Sequence, residues 1–459
     1  MTAAKTESIS ASQAYIPNRW HTNVQLAIVF LMLLSAPIAP RLNIALLFLL
    51  GLLSLIDLLV LNRPAKLFPS KLLTPLAAAT PLMLAGYLFL NSLWARDPGV
   101  ALGKAALVSA IFAVVLVCWL EFNNQSAAVR NRTAKAALLG SLIGLAIACF
   151  EFSTGHLLQW ALYDTWPAIR PEGNSIKVLV DDGSGFEKVA PEEHRKQHDV
   201  EKIEIRSSGL NRNLSLMLLL QWPVLALAQC ALAPRYRMPA LVALFGIGSA
   251  TVLVSVSQTA QIALIGSVVV FLTARFWPLF THYTILAGWC IALIFALPLA
   301  AAPYKAGMHK SNWLFESARD RIAIWSLTAE LAAKTPIFGV GIRSTRVIGK
   351  ELRKSAKYGP TYAKPRRLGI HAHNQYLQVW FELGAIGAAL MLALGIAILR
   401  TVRTLARDFQ PYAYAAFTTA ALVAAFGWGL WQTWLLVGFG VAFILLLLAK
   451  SLHLGVSSS

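Results

Sequence analysis

LNIALLFLLGLLSLIDLLVL, residues 42–61, holds a single charged residue, Asp57, among twenty that are otherwise almost all apolar. About 20 apolar residues are what one helix needs to cross the hydrocarbon core of a bilayer. The stretch is not isolated: 57% of the 459 residues are hydrophobic and only 13% are charged, a balance that excludes a soluble globular domain of this length. In hydrocarbon only helices and closed barrels satisfy their backbone polar groups, and continuous apolar runs exclude the alternating pattern of a barrel. The chain therefore reads as an all-α polytopic membrane protein.

Twelve spans follow from the apolar runs, at residues 22–38, 42–61, 72–94, 101–120, 134–152, 213–233, 238–256, 259–275, 283–301, 374–399, 412–429 and 432–449. With the N-terminus inside, the inner connections collect fifteen bases: Lys5, Arg19, Arg63, Lys66, Lys71, Arg130, Arg132, Lys135, Arg235, Arg237, Arg275, Arg400, Arg403, Arg407 and Lys450. The short outer connections hold only Arg41, Arg96 and Lys104. That asymmetry predicts both termini on the cytoplasmic side. The first run could also be a signal peptide, with Ala36 and Ala39 as the small residues of a cleavage site; the polar leader and the immediate second span favour a retained helix. Cys118, Cys149, Cys230 and Cys290 all lie in apolar spans, as buried fillers rather than disulfide partners.

The organisation expected is five helices in residues 1–152, a long outer loop at 153–212, four helices in 213–301, a second long outer loop at 302–373, and three helices with a short tail in 374–459. Long loops on one face of a rigid bundle are where function concentrates. The first has ten acids against eight bases; the second has fourteen Lys and Arg against Glu316, Asp320, Glu330 and Glu351. A cationic loop of this kind suits polyanions or phosphate-bearing lipids, or simply anionic headgroups.

Arg206 stands before the sixth span, and Arg319 and Arg321 lie midway along the basic loop. A guanidinium is a planar fork of donors matched to phosphate oxygens, although interfacial arginines also serve as plain anchors. His371-Ala372-His373 invites a metal reading, but no Cys or carboxylate lies near to complete a shell, and Glu382 is about 13 Å further along a helix. The other role for His373 is proton acceptance, or no more than an interfacial hydrogen bond. Asp181-Asp182 reads as part of a solvated loop.

His373-Asn374, nine further residues and then Gly384-Ala385-Ile386-Gly387 reproduce the H-[NSQ]-x9-G-x-x-[GTY] signature of the bacterial O-antigen ligase family. Arg206 to Leu210 resembles the family's R-x-x-x-L element, and Arg321-x-x-x-Trp325 followed by Pro336-x-Phe338-Gly339-Val340-Gly341 is similar to its basic loop. Trp94-Ala95-Arg96-Asp97-Pro98 also resembles the family, while Ser257-Gln258-Thr259-Ala260 departs from the usual Ser-Arg-Thr-Ala.

The resemblance implies transfer of a glycan from undecaprenyl diphosphate to lipid A core on the periplasmic side of the inner membrane, completing lipopolysaccharide. By motif, His373 becomes the catalytic base and Arg206 and Arg321 the diphosphate ligands, with Arg319, Asn374 and Gln258 as further candidates. The implied reaction is an inverting displacement with no cofactor and no metal, in which Gly384 and Gly387 share a helix face and hold geometry. The partners implied are the lipid-linked donor, the lipid A core acceptor and inner-membrane lipid, with no nucleic acid. O-antigen polymerase and protein O-oligosaccharyltransferase are the related alternatives; the short stretch after the last span favours the first two activities. A transporter of lipid-linked glycan, suggested by Asp57 in its apolar run, is the alternative of a different class.

Overall fold

The computed structural model describes residues 19–60, 75–155, 157–166, 176–180, 185–189, 207–255, 257–354 and 368–456. Sixteen helices are described: α1 (Arg19–Ser35), α2 (Leu42–Val60), α3 (Pro75–Asn91), α4 (Pro98–Asn124), α5 (Ala127–Ser153), α6 (Leu157–Thr165), α7 (Ser207–Ala231), α8 (Pro234–Val254), α9 (Gln258–Phe276), α10 (Pro278–Ile294), α11 (Ala296–Lys305), α12 (Glu316–Ala332), α13 (Ser344–Lys354), α14 (Gln375–Arg403), α15 (Gln410–Phe426) and α16 (Thr433–Val456). The expected first long loop also contains an antiparallel pair, β1 (Ile176–Val180) and β2 (Gly185–Val189).

Each of the twelve apolar runs contains a helix among the described residues. Among the described residues eight helices are long and apolar enough to cross a membrane, or nine if the bent pair α10–α11 is one span. The remaining expected spans are α1, α3 and α15, each of 17 residues. This is a multi-pass helical membrane protein. Of the twelve expected spans, eight or nine meet that length and hydropathy among the described residues.

Burial sorts the helices. Along α7 the spanning window is 89% buried, whereas those of α4 and α8 are each 22% buried. A helix apolar on every side and buried on every side is a bundle centre; one that leaves Val242 or Leu253 exposed faces lipid. The core runs from α7 through α16, α15, α5, α1 and α2, with Met32, Leu47, Leu216, Leu218, Ala226, Leu435 and Val441 fully or almost fully enclosed.

Two breaks were not visible in the apolar pattern. Between α10 and α11 the axis turns by 73°. Pro298 has no N–H to give to the carbonyl of Ile294, so the ladder is interrupted there. Within α14, Gly384 adopts φ 66, ψ −165, splitting the helix into two segments. Gly384 therefore sits at a break, and the expected shared helix face with Gly387 does not describe it.

The second long loop is itself structured. It supplies α12 and α13, and between them the Pro336–Gly341 motif fills the α14 break like a short strand: Val340 N–H donates to Phe381 O (2.9 Å), Gly341 N–H to Glu382 O (2.9 Å) and Ala385 N–H to Pro336 O (2.8 Å). Carbonyls released by the break are thereby satisfied. Tyr87 Oη–H donates to Leu383 O (2.6 Å) and Asn91 Nδ2–H to Phe338 O (3.0 Å), so the end of α3 locks the insertion. Gly341 (φ 91) lies so close to Ala95 that no Cβ could be accommodated. The Trp94–Pro98 and Pro336–Gly341 motifs, far apart in sequence, are thus one packing unit, with the Trp94 and Phe338 rings edge to face at 5.9 Å.

Candidate active site

The α15–α16 junction, residues 427–432, is the point where the motifs meet. The first turns of α9, α14 and α16 and the N-terminal halves of α7 and α4 converge on it: Thr259 of α9 donates to Phe426 O (3.1 Å), Gln375 of α14 to Trp428 O (3.3 Å), the Trp428 indole to Ser215 of α7 (3.0 Å), and Lys104 of α4 to Thr433 at the start of α16 (2.8 Å). Helix N-termini carry partial positive charge, and a cluster of them favours anions.

His373 immediately precedes the α14 cap. Asn374 accepts from Leu377 N–H through its side chain (3.0 Å), which assigns that candidate a capping role. The His373 backbone lies at φ 54, in the left-handed region, a conformation that costs a non-glycine residue about 1–2 kcal/mol. Its Nδ1 is 3.2 Å from Gly427 O. A carbonyl can only accept, so in the neutral ring the proton sits on Nδ1 and Nε2 carries the lone pair.

His371 packs its ring against that of His373, with centroids 4.0 Å apart. The turn reaches it through Gly429, where a Cβ would come within 2.6 Å of His371 Cβ. The His371 Nε2 is buried and has no hydrogen-bond partner among the described residues. Burial first, then the neighbouring His373 and Arg321, push its pKa down to about 3, so it is a neutral ring at ordinary pH. Because the unfolded ring titrates near 6.5, the unfolded state takes up the proton first on acidification. Stability is therefore full above about pH 6.5 and is lost as pH falls towards 3. Thermal melts in detergent should show a shallower decline across that window for His371→Gln than for the wild type; parallel curves would contradict the assignment.

Arg321 lies within electrostatic range of His371, and desolvation lowers its own pKa. Trp325, one turn on along α12, faces Phe426 with ring centroids 6.5 Å apart, so this face of α12 looks onto the same junction. No described residue donates to, accepts from or pairs with the half-buried Arg321 guanidinium. Arg319 sits about 200° round the helix from it and makes no contact with either histidine among the described residues; its Nε is buried and unpartnered. Gln258 opens α9, carried to the junction by its neighbour Thr259, but has no hydrogen bond to the histidines among the described residues. Arg206 and Asp181-Asp182 lie outside the described residues. Among the described residues no three His, Cys, Asp or Glu side chains are placed to hold a metal ion.

Glu382 is the functional-site residue that sequence reasoning missed. Fully buried at 0% exposure, it accepts from Arg343 N–H (2.7 Å), Thr345 N–H (3.2 Å), Gln378 Nε2–H (3.1 Å), the Thr345 hydroxyl and the Trp431 indole. Gln378 in turn accepts from Leu430 N–H (3.0 Å). One carboxylate thus ties α14, the turn before α13 and the α15–α16 junction together. Its signal in the sequence was an acid inside an apolar run. Both its oxygens face donors, so Glu382→Gln sets an N–H₂ against an N–H or O–H. The expected loss is about 1–3 kcal/mol, read as a lowered unfolding temperature in detergent; an unchanged value would remove the hub role.

Residues 242–392 match the model of the O-antigen ligase family, an interval that holds Arg321, His373, Gly384 and Gly387 and covers about a third of the chain. A candidate polysaccharide ligase of Rickettsia bellii (strain RML369-C) is 23% identical over 360 residues, 77% of this chain and 76% of that protein. Similar proteins, likewise named as candidate polysaccharide ligases, occur in Rickettsia prowazekii (strain Madrid E), 31% identical over 29% of this chain and 33% of that protein, and Rickettsia typhi (strain ATCC VR-144 / Wilmington), 30% identical with the same coverage. The family match over residues 242–392 and these relatives together support placing the chain in the O-antigen ligase superfamily.

Proposed function

We propose that the protein is an O-antigen ligase that transfers polysaccharide from undecaprenyl diphosphate to a sugar hydroxyl of lipid A core at the periplasmic face of the inner membrane. The observation that carries this reading is the hydrogen bond from His373 Nδ1 to Gly427 O, which puts the ring proton on Nδ1 and the basic lone pair on Nε2, with Arg321 within electrostatic range of the adjacent His371.

In the reaction we envisage, the acceptor hydroxyl gives its proton to His373 Nε2 as its oxygen attacks the anomeric carbon. The new C–O bond forms as the bond to the diphosphate oxygen breaks, and the electron pair leaves with undecaprenyl diphosphate. Attack opposite the leaving group inverts that carbon. Arg321, joined by Arg206, would neutralise the departing diphosphate through bidentate contacts, so no metal is required by the scheme. The neutral His371 adds no competing positive charge to the base.

The acceptor separates the related activities. Reconstituted protein given one lipid-linked donor with lipid A core, a second lipid-linked repeat, or a serine-containing polypeptide should glycosylate the core. Product only on the lipid-linked repeat would make it a polymerase, and product only on polypeptide a protein transferase.

A further inference from the structure

Two pairs of cations flank the first turn of α16, outside the histidine pocket. On one side Lys104 Nζ–H donates to Thr433 Oγ1 (2.8 Å), and Lys104 stands within electrostatic range of Arg343. On the other, the Arg212 guanidinium lies 6.0 Å from the centre of the Trp434 ring and within electrostatic range of Arg41. Thr433 and Trp434 adjoin in the first turn of α16, so Lys104 and Arg212 both meet this helix N-terminus, each with a second cation within electrostatic range. Trp434 meets Trp428 edge to face at 5.3 Å, which links this cluster to the junction that holds His373.

Nothing described offsets the charge. No carboxylate among the described residues pairs with Arg41, Lys104, Arg212 or Arg343, and Arg212 Nε is buried without a partner. Glu382, the nearest acid to Arg343 by hydrogen bonding, is engaged by its backbone N–H. Like charges brought together in a partly desolvated place repel and are costly unless an anion joins them. Arg41 and Lys104 are also two of the three bases that the short outer connections retain against the charge asymmetry of the chain.

We propose that Lys104, Arg212, Arg41 and Arg343 form a phosphate-binding site at the start of α16, which takes a phosphate group of the acceptor glycolipid while the lipid-linked donor occupies the histidine pocket. The assignment of the phosphate to the acceptor rests on the proposed ligase activity; the anion site itself does not. Several cations at one helix N-terminus suit a phosphomonoester better than a carboxylate, since it offers more oxygens and more charge for them to meet.

The test measures binding and transfer separately, with lipid A core before and after phosphatase treatment, in nanodiscs of neutral lipid and of phosphatidylglycerol. Losing one charge-assisted contact should weaken binding of the phosphorylated core about tenfold in Lys104→Gln and in Arg212→Gln. Phosphatase treatment should weaken wild-type binding similarly and abolish the difference between wild type and variants. KM for the donor should not move, and the charge-keeping variants should restore binding, nearly fully in Lys104→Arg and in part in Arg212→Lys, which loses the planar fork; this guards against misfolding. Equal losses on both forms of the core, a raised donor KM, or an effect seen only with phosphatidylglycerol would overturn the proposal. Phosphate-dependent binding with no transfer by the wild type would instead leave the site standing and remove the ligase reading.

Discussion

His373→Ala is expected to lower glycan transfer by about 10²- to 10⁴-fold, the usual contribution of a positioned general base, at matched amounts of folded, membrane-inserted protein. The backbone makes the substitution unusually informative. His373 sits at φ 54, a region that asparagine tolerates much better than most residues. His373→Asn should therefore keep the local fold, relieve some strain and still lose activity to the same extent, because its amide cannot take the proton. Retained activity in the asparagine variant would mean that position 373 shapes the turn and does not handle the proton. Transfer assays paired with thermal melts of both variants distinguish the two.

Arg321→Ala is expected to cost about 10²- to 10³-fold in turnover, the scale seen when one preorganised donor to a developing anion is removed. The reason is that this guanidinium is half-buried, partly desolvated and without a partner among the described residues. Lysine in its place keeps the charge but not the planar fork, so Arg321→Lys should recover only part of the loss. Single-turnover rates with saturating donor make the comparison; a rate in Arg321→Ala near that of wild type would remove the diphosphate assignment.

These residues were legible to different degrees. The helices were plain, because runs such as residues 42–61 leave the chain no other structure in hydrocarbon. What such runs conceal is where a helix stops being one: Gly384 and Pro298 interrupt α14 and the α10–α11 pair without changing the apolar composition. Three of the expected spans, α1, α3 and α15, are helical over 17 described residues each. His373 and Arg321 could be named from motif spacing, and the structure brings both to one junction. The roles of Gly427 and Gly429 could not, because a carbonyl facing His373 and a missing Cβ beneath His371 arise only from tertiary contact. Glu382 was noticed as an acid too distant to share a metal with the histidines. Its five donors come from residues 343–345, 378 and 431, a convergence that no local pattern announces.

The central claim is a covalent, inverting transfer from undecaprenyl diphosphate. It is tested most directly by giving the reconstituted wild-type protein a donor of known anomeric configuration together with lipid A core, then determining the linkage in the product and the undecaprenyl diphosphate released. The account predicts one released undecaprenyl diphosphate per glycan joined and the opposite anomer in the product; a retained anomer, or glycan that crosses the bilayer with no new bond formed, would contradict it.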